Sequence, residues 1–398
     1  ATAGLSAVAA TMPLGSVMEQ ERPLQVAYTV DVVVAGGSSG AVAAAVAAKE
    51  QGATVFLLTD RPYLGEDLCA TLNFALPKGT APAEGLAGEL FPWERQTTPL
   101  RIKKVLDRAL LRAGVKFLTG SYPAEVVTNE KEEFAGITMI NRSGRQFVRA
   151  KVLIDATEHA ALARQTALPF SPFKAGMRQF RMRVIGGELQ IAPGLKGETL
   201  DWTVEKTRPV HQYVFGKALR TGDWRELCRV EQEFRDLVIQ EGVLEHSERI
   251  DYHLGNQLDA SKLVSEWPGA SRIDLAHFGH VSNPRILMLG KYAGLTESAA
   301  AAMRRPFEFV AIGSRLGHEA SDRAKKLEWV KGNVFADGDS ESVQNGAVGE
   351  VSRPLRVGVC MKELFQKNAL PVFGKYDVVV VGGGTSGGPA AIGAAERG

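Results

Sequence analysis

Cysteine is scarce in this chain, with three residues (Cys69, Cys228 and Cys360) among 398. They show no CxxC or zinc-like spacing, so neither a disulfide framework nor a metal site is indicated. His277-Phe278-Gly279-His280 places two histidines three apart without a nearby third ligand, which is too little for a metal centre. No apolar run reaches about 18 residues, so no membrane-spanning helix is predicted. Neither sign of charge is in excess. The 47 Lys and Arg against 45 Asp and Glu leave +2, which gives no support for a nucleic-acid partner. What is present is ordinary for a globular protein, with 45% hydrophobic and 23% charged residues. The length suits one large or two moderate domains.

The most informative stretch is YTVDVVVAGGSSGAVAAAVAAKEQG, residues 28–52. Asp31 to Ala35 is a β-branched run that reads as a buried parallel strand. Gly36, Gly37, Ser38, Ser39 and Gly40 form a tight turn. Ala41 to Gln51 has the composition of a helix, ended by Gly52. ATVFLLTD then reads as a second strand. Such a strand–turn–helix–strand unit begins a Rossmann-type dinucleotide-binding domain. Glycines let the backbone approach a pyrophosphate, and the helix N-terminus offers free N–H groups and a partial positive charge. Read from Gly36, the fingerprint is Gly36, Ser38, Ala41; read one residue earlier, it is Ala35, Gly37, Gly40. Either way one glycine is missing.

The pattern recurs. Residues 377–398, DVVVVGGGTSGGPAAIGAAERG, align without gaps onto 31–52 with 11 of 22 positions identical, and here Gly382, Gly384 and Gly387 complete the fingerprint. One strand and one helix cannot bury a core alone, which predicts further polypeptide completing this second copy. At the other end, ATAGLSAVAATMPLGSVM is small, apolar and uncharged before turning polar at Glu19-Gln20-Glu21-Arg22. It resembles the apolar region of a twin-arginine export signal, which implies a periplasmic location. An Ala-rich segment packed on the domain is the alternative.

Asp60 ends the second strand about 20 residues past the glycines, where an acid accepts hydrogen bonds from an adenosine ribose; Thr59 occupies the stricter position. The polar loop Arg61-Pro62-Tyr63-Leu64-Gly65-Glu66 follows. With the Gly turn and helix, this loop resembles the FAD-dependent oxidoreductases of the glutathione-reductase-type superfamily, and most nearly the broad bacterial FAD-dependent oxidoreductase family. The resemblance makes Arg61, Gly65 and Glu66 candidate contacts on the flavin side. It also implies a three-stranded meander within 125–157, where Val127 joins the cofactor candidates. The meander ends at Asp155-Ala156-Thr157-Glu158-His159, so Ala156 and Thr157 are candidates as well, with Glu158 where the family usually has Gly. A second matching segment, NPRILMLGKYAGL, offers Gly290, Lys291 and Ala293 by position, although Lys291 stands where many relatives carry Asp. His277 and His280 precede this segment and are the catalytic candidates, because a histidine near a flavin can donate or accept a proton.

The remaining elements read locally. Residues 98–118 carry Leu100, Val105, Leu106, Ala109 and Leu110 at helical spacing, stopped by Gly114. In FRMRVIGG, Phe180, Met182 and Val184 alternate with Arg181 and Arg183, as in a half-buried strand. Its arginines would either neutralise an anionic substrate or form the wet side of a sheet. Residues 223–243 read as a helix with Asp223 as N-cap and Gly242 as its stop. Gly313 and Gly317 are spaced for close packing in a helix starting near Pro306.

The resulting architecture is α/β. A doubly wound Rossmann-type FAD domain is formed by 28–170 and 281–327, with an inserted α+β cap over 171–280. A leader covers 1–27, a linker 328–373, and the start of a second Rossmann unit 374–398. By resemblance the chain would be an FAD-dependent dehydrogenase or oxidase, passing hydride from a small organic substrate to flavin and then electrons to an acceptor. Two other readings stay open: a non-catalytic flavin-fold half of a larger two-module assembly, and an NAD-binding dehydrogenase.

Overall fold

The computed structural model describes residues 16–19, 22–92, 96–129, 131–259, 263–330, 335–338, 360–365, 368–372 and 374–398. Most of the leader and of the linker expected from the sequence lie outside these residues. The chain divides into two compact units, 23–364 and the pair of segments 1–22 and 365–398.

The larger unit is built on a parallel sheet. β1 (Arg22–Ala35) pairs on one side with β2 (Val55–Leu58), which pairs with β3 (Lys116–Leu118). The meander β4 (Tyr122–Thr128), β5 (Phe134–Asn141) and β6 (Gly144–Asp155) is antiparallel within itself. β6 then runs parallel to β1 on its other side, with Ala35 opposite Asp155. The parallel order β3-β2-β1-β6 is the Rossmann-like arrangement that the first strand–turn–helix unit predicts. β1 begins at Arg22, within the stretch assigned to the leader. Val32, Val33, Val34 and Ala35 are wholly buried, because helices and meander cover both sheet faces.

α1 (Ser39–Glu50) follows the glycine turn, capped by Ser38, whose Oγ accepts from the Ala41 amide at 3.2 Å. The short α2 (Glu66–Cys69) and α3 (Gly85–Leu90) precede α4 (Pro99–Ala113). α4 buries Ile102, Val105, Leu106 and Leu110 and ends at Gly114 in the left-handed conformation. Leu100, expected on the apolar face, is exposed.

The inserted cap is a four-stranded antiparallel sheet. Its strands are β7 (Gly176–Gly186), β8 (Leu195–Val204), β9 (Arg208–Leu219) and β10 (Val243–His246), in the order β10-β7-β9-β8. α5 (Trp224–Val238) covers one face, where Phe180, Met182 and Val184 pack with Phe234 and Val238. Asp223 caps α5 by accepting from the Glu226 amide at 2.9 Å. The helix stops at Val238, short of Gly242, and β10 takes up the chain.

The chain then returns to the parallel sheet. The edge strand β11 (Gly279–His280) precedes β12 (Asn283–Met288), which pairs parallel to β6. α6 (Glu297–Met303) and α7 (Pro306–Lys326) complete the layer. α7 crosses α1 closely. A Cβ on Gly313 would lie 2.2 Å from the Gly40 carbonyl oxygen, and one on Gly317 2.1 Å from that of Ala44.

In the smaller unit, Ser16–Glu19 pairs antiparallel with Asn368–Pro371, and Gly387–Ala395 is helical. The strand expected at 377–381 does not form. Val381 is 95% exposed, and among the described residues no strand pairs with the segment.

Candidate active site

Six of the residues singled out in the sequence meet in one place: Ser38, Glu66, Ala156, Thr157, Gly290 and Lys291 surround a single cavity. The convergence follows from topology. The turns after β1, β6 and β12 leave the same edge of three adjacent parallel strands, where ligands of doubly wound folds sit.

The turn after β1 is shaped by contacts within the protein. Gly36 has φ +125°, and a Cβ there would lie 2.5 Å from the Ala156 carbonyl oxygen; on Gly37 it would lie 2.7 Å from Thr59 Oγ1. Gly40 faces the Phe309 backbone. Gly65, at φ +86°, takes a left-handed turn and donates its amide to the Gly37 carbonyl at 2.7 Å. This bond folds the loop after β2 back onto the mouth of α1.

The consequence is an internal anion at the helix N-terminus. Asp67 is buried, and its carboxylate accepts from the Ser39 amide at 2.7 Å and from Ser39 Oγ at 2.5 Å. First-turn amides of a helix have no intrahelical acceptor and hold anions. Here two are already met, Ala41 by Ser38 and Ser39 by Asp67.

Around the same cavity lies a network of charges, with Lys291 buried and Glu158, Arg249, Asp251 and Arg304 half-buried. Lys291 Nζ is 3.2 Å from Glu158 and 3.5 Å from Asp251, Arg249 Nε is 3.4 Å from Glu158, and Arg304 Nη1 donates to Asp251 at 2.7 Å. Burial raises the Glu158 carboxyl, but Lys291 and Arg249 outweigh it and hold it below the usual range. Asp251 is lowered in the same way by Arg304 and Lys291. Glu66 lacks such support. Burial pushes it up to about 7, against the pull of Arg249 and with Asp60, Asp67 and Glu158 adding to the rise.

The other sequence candidates lie apart from this cavity. Thr59, not Asp60, is the buried residue at the end of β2; Asp60 is exposed. Arg61 pairs with Glu248 at 3.3 Å. Val127 sits half-buried on the meander, and Ala293 is buried with its amide on the Gly290 carbonyl. His277 is in the short helical turn Leu275–Phe278 before β11, and its carbonyl accepts from the Gly294 amide at 2.8 Å. His280 shares its ring nitrogen Nδ1 with Ser282 on its own turn at 2.7 Å. The buried histidines beside Lys291 are different ones. His253 Nε2 is 2.8 Å from the Lys291 carbonyl, and the His159 ring lies tilted against those of Tyr252 and Tyr292, 5.7 and 5.9 Å away. Burial lowers both to about 4, so they are neutral near pH 7. His159 stood in the quoted turn after β6; no local signal marks His253.

Residues 31–181 match the sequence model of the family described as FAD dependent oxidoreductase. No curated protein matches the chain. Among solved structures, a flavin-dependent brominase, Bmp2, is 11% identical over 76% of this chain and 81% of its own, with TM-score 0.47. A geranylgeranyl bacteriochlorophyll reductase-like protein from Thermoplasma acidophilum is 17% identical over 75% and 78%, with TM-score 0.44. A flavoprotein/dehydrogenase from Cytophaga hutchinsonii is 15% identical over 75% and 80%, with TM-score 0.44.

The fit of FAD, the cofactor of the matched family, can be judged from the cavity. Its volume is about 30 Å³, room for roughly one or two waters. The cations that would meet a diphosphate are already paired with Glu158 and Asp251. The glycines of the turn face protein atoms. In this arrangement the cavity is too small for the diphosphate. Over residues 31–181 the sequence nevertheless matches the family of FAD-dependent oxidoreductases.

Proposed function

We propose that the chain is an FAD-dependent oxidoreductase acting on a small organic substrate, and that Asp67 holds its cofactor cradle shut until FAD displaces it. The observation that carries this reading is the carboxylate on the Ser39 amide and hydroxyl. It occupies the place on α1 where a Rossmann-type unit receives a phosphate. Charge balance supports it: with Asp67 in place the cavity is neutralised by its own residues, and a diphosphate adds two more negative charges. Removing the internal carboxylate should open the amide and lower the repulsion together. Titration of the purified chain with FAD, followed by quenching of flavin fluorescence, tests this. Asp67→Ala is expected to bind at least ~10-fold more tightly than the parent, the loss of one competing charge-assisted contact. Equal affinities would refute the gate.

A second reading, a non-catalytic flavin-fold half of a larger assembly, is favoured by the same closed cavity together with Glu158 in the family's Gly position. The two differ in one outcome. A structural half binds no FAD even after Asp67→Ala.

A further inference from the structure

The face of the cap sheet turned away from α5 borders a second, larger cavity of about 400 Å³. Arg183, Gln212 and Trp202 come to it from the cap, Asn73 from the loop after α2, and Arg304 and Arg305 from the joint between α6 and α7. Its size falls in the range of small-molecule pockets. All of these residues lie in the larger unit.

We propose that this cavity is a binding site for a small organic acid, with Arg183 receiving the carboxylate and Trp202 and Leu200 facing the apolar body. Two cationic side chains of the lining have no carboxylate partner among the described residues, the exposed Arg305 and the more buried Arg183, and burial singles out Arg183. Each carboxylate around the cavity already has a partner: Asp67 holds Ser39, Asp251 holds Arg304 and Lys291, and Asp201 pairs with Lys78 at 3.3 Å. Arg181 is 3.8 Å from Glu297. Arg183 has no carboxylate within ion-pair distance among the described residues. Its Nε donates to Gln212 Oε1 at 3.1 Å and its Nη1 to the Thr71 carbonyl at 3.2 Å, both neutral. These bonds aim the guanidinium and leave further N–H donors. Burial lowers its pKa to about 10, the mark of a desolvated cation, and Asp251 and Glu198 only partly restore it. A largely buried cation without a counter-ion is costly, and a planar carboxylate matches the guanidinium fork. The alternation of Phe180, Met182 and Val184 with Arg181 and Arg183 produces this surface: the apolar set packs under α5 and leaves the arginines on the opposite face.

Naming the bound acid as the substrate rests on the oxidoreductase reading; the binding itself does not. The test is calorimetry on the full chain, without flavin, using phenylacetate and its neutral isostere phenylacetamide. Phenylacetate should bind at least ~10-fold more tightly than the amide, as expected for a charge-assisted pair. Arg183→Gln should abolish that preference, and Arg183→Lys should retain part of it. Equal binding of acid and amide, or binding of neither, overturns the proposal. The comparison on the parent protein decides even where a variant fails to fold. Flavin binding is read separately by titration with FAD, so failure of the cofactor reading leaves a different trace.

Discussion

Glu66 and Asp67 are adjacent, both buried, and opposite in their means of support. Asp67 is satisfied by two donors from Ser39, whereas the charge of Arg249 only partly offsets the burial of Glu66. A carboxyl raised from 4.5 to about 7 on folding binds more protons in the native state than in the unfolded chain over that interval. Stability therefore falls as pH rises from about 4.5 to 7, by on the order of 3 kcal/mol in total. Glu66→Gln should remove this loss, so the variant unfolds at higher denaturant than the parent at pH 8 and gains little at pH 4.5. A variant no more stable at pH 8 would contradict the burial of a charged Glu66. Asp67→Ala should act in the other direction, costing about 1–3 kcal/mol in the absence of ligand through loss of the bonds to Ser39. Urea unfolding measures it; no change would mean that the carboxylate does not cap α1. Neither residue's part was legible beforehand in full. The sequence marks Glu66 as a cofactor candidate, but nothing local says that Gly65 turns the loop back so that Asp67, 28 positions from Ser39, reaches the helix N-terminus.

The pairing of α1 with α7 shows what a sequence reads well at the scale of elements. Small residues at a four-residue spacing, Gly313 and Gly317, point to a close crossing, and the crossing is there against Gly40 and Ala44. Backbone carbonyls cannot give way as a flexible side chain can. Gly317→Val should therefore push α7 off α1 and cost about 1–3 kcal/mol or more, readable as a lower denaturation midpoint with an unchanged slope. A midpoint within error of the parent would deny the close approach. Elements carried by local signals were equally legible: Asp223 as a cap, Gly114 as a stop, the alternation in β7. The strand expected at 377–381 did not form because a strand depends on partners that local sequence does not supply.

For the whole molecule, the α/β class with a parallel Rossmann-type sheet was readable and the ion pairs around its site were not. The strand–turn–helix unit predicts a parallel sheet with its site at one edge, and six candidates do gather there. What fills that edge depends on ion pairs between distant segments: Glu158 with Lys291 is separated by 133 positions and Asp251 with Arg304 by 53. His253 reached Lys291 in the same way, while His277 and His280, chosen for their nearness in sequence, sit on turns of their own. Such ion pairs join segments far apart in the chain, and no periodicity encodes them.

The most direct measurement is the flavin content of the purified chain by absorbance, followed by FAD titration of the parent and Asp67→Ala. A cradle held shut by Asp67 predicts less than one flavin per chain in the parent and markedly tighter FAD binding in the variant. A parent that purifies with one tightly held FAD per chain, unchanged by Asp67→Ala, would contradict it.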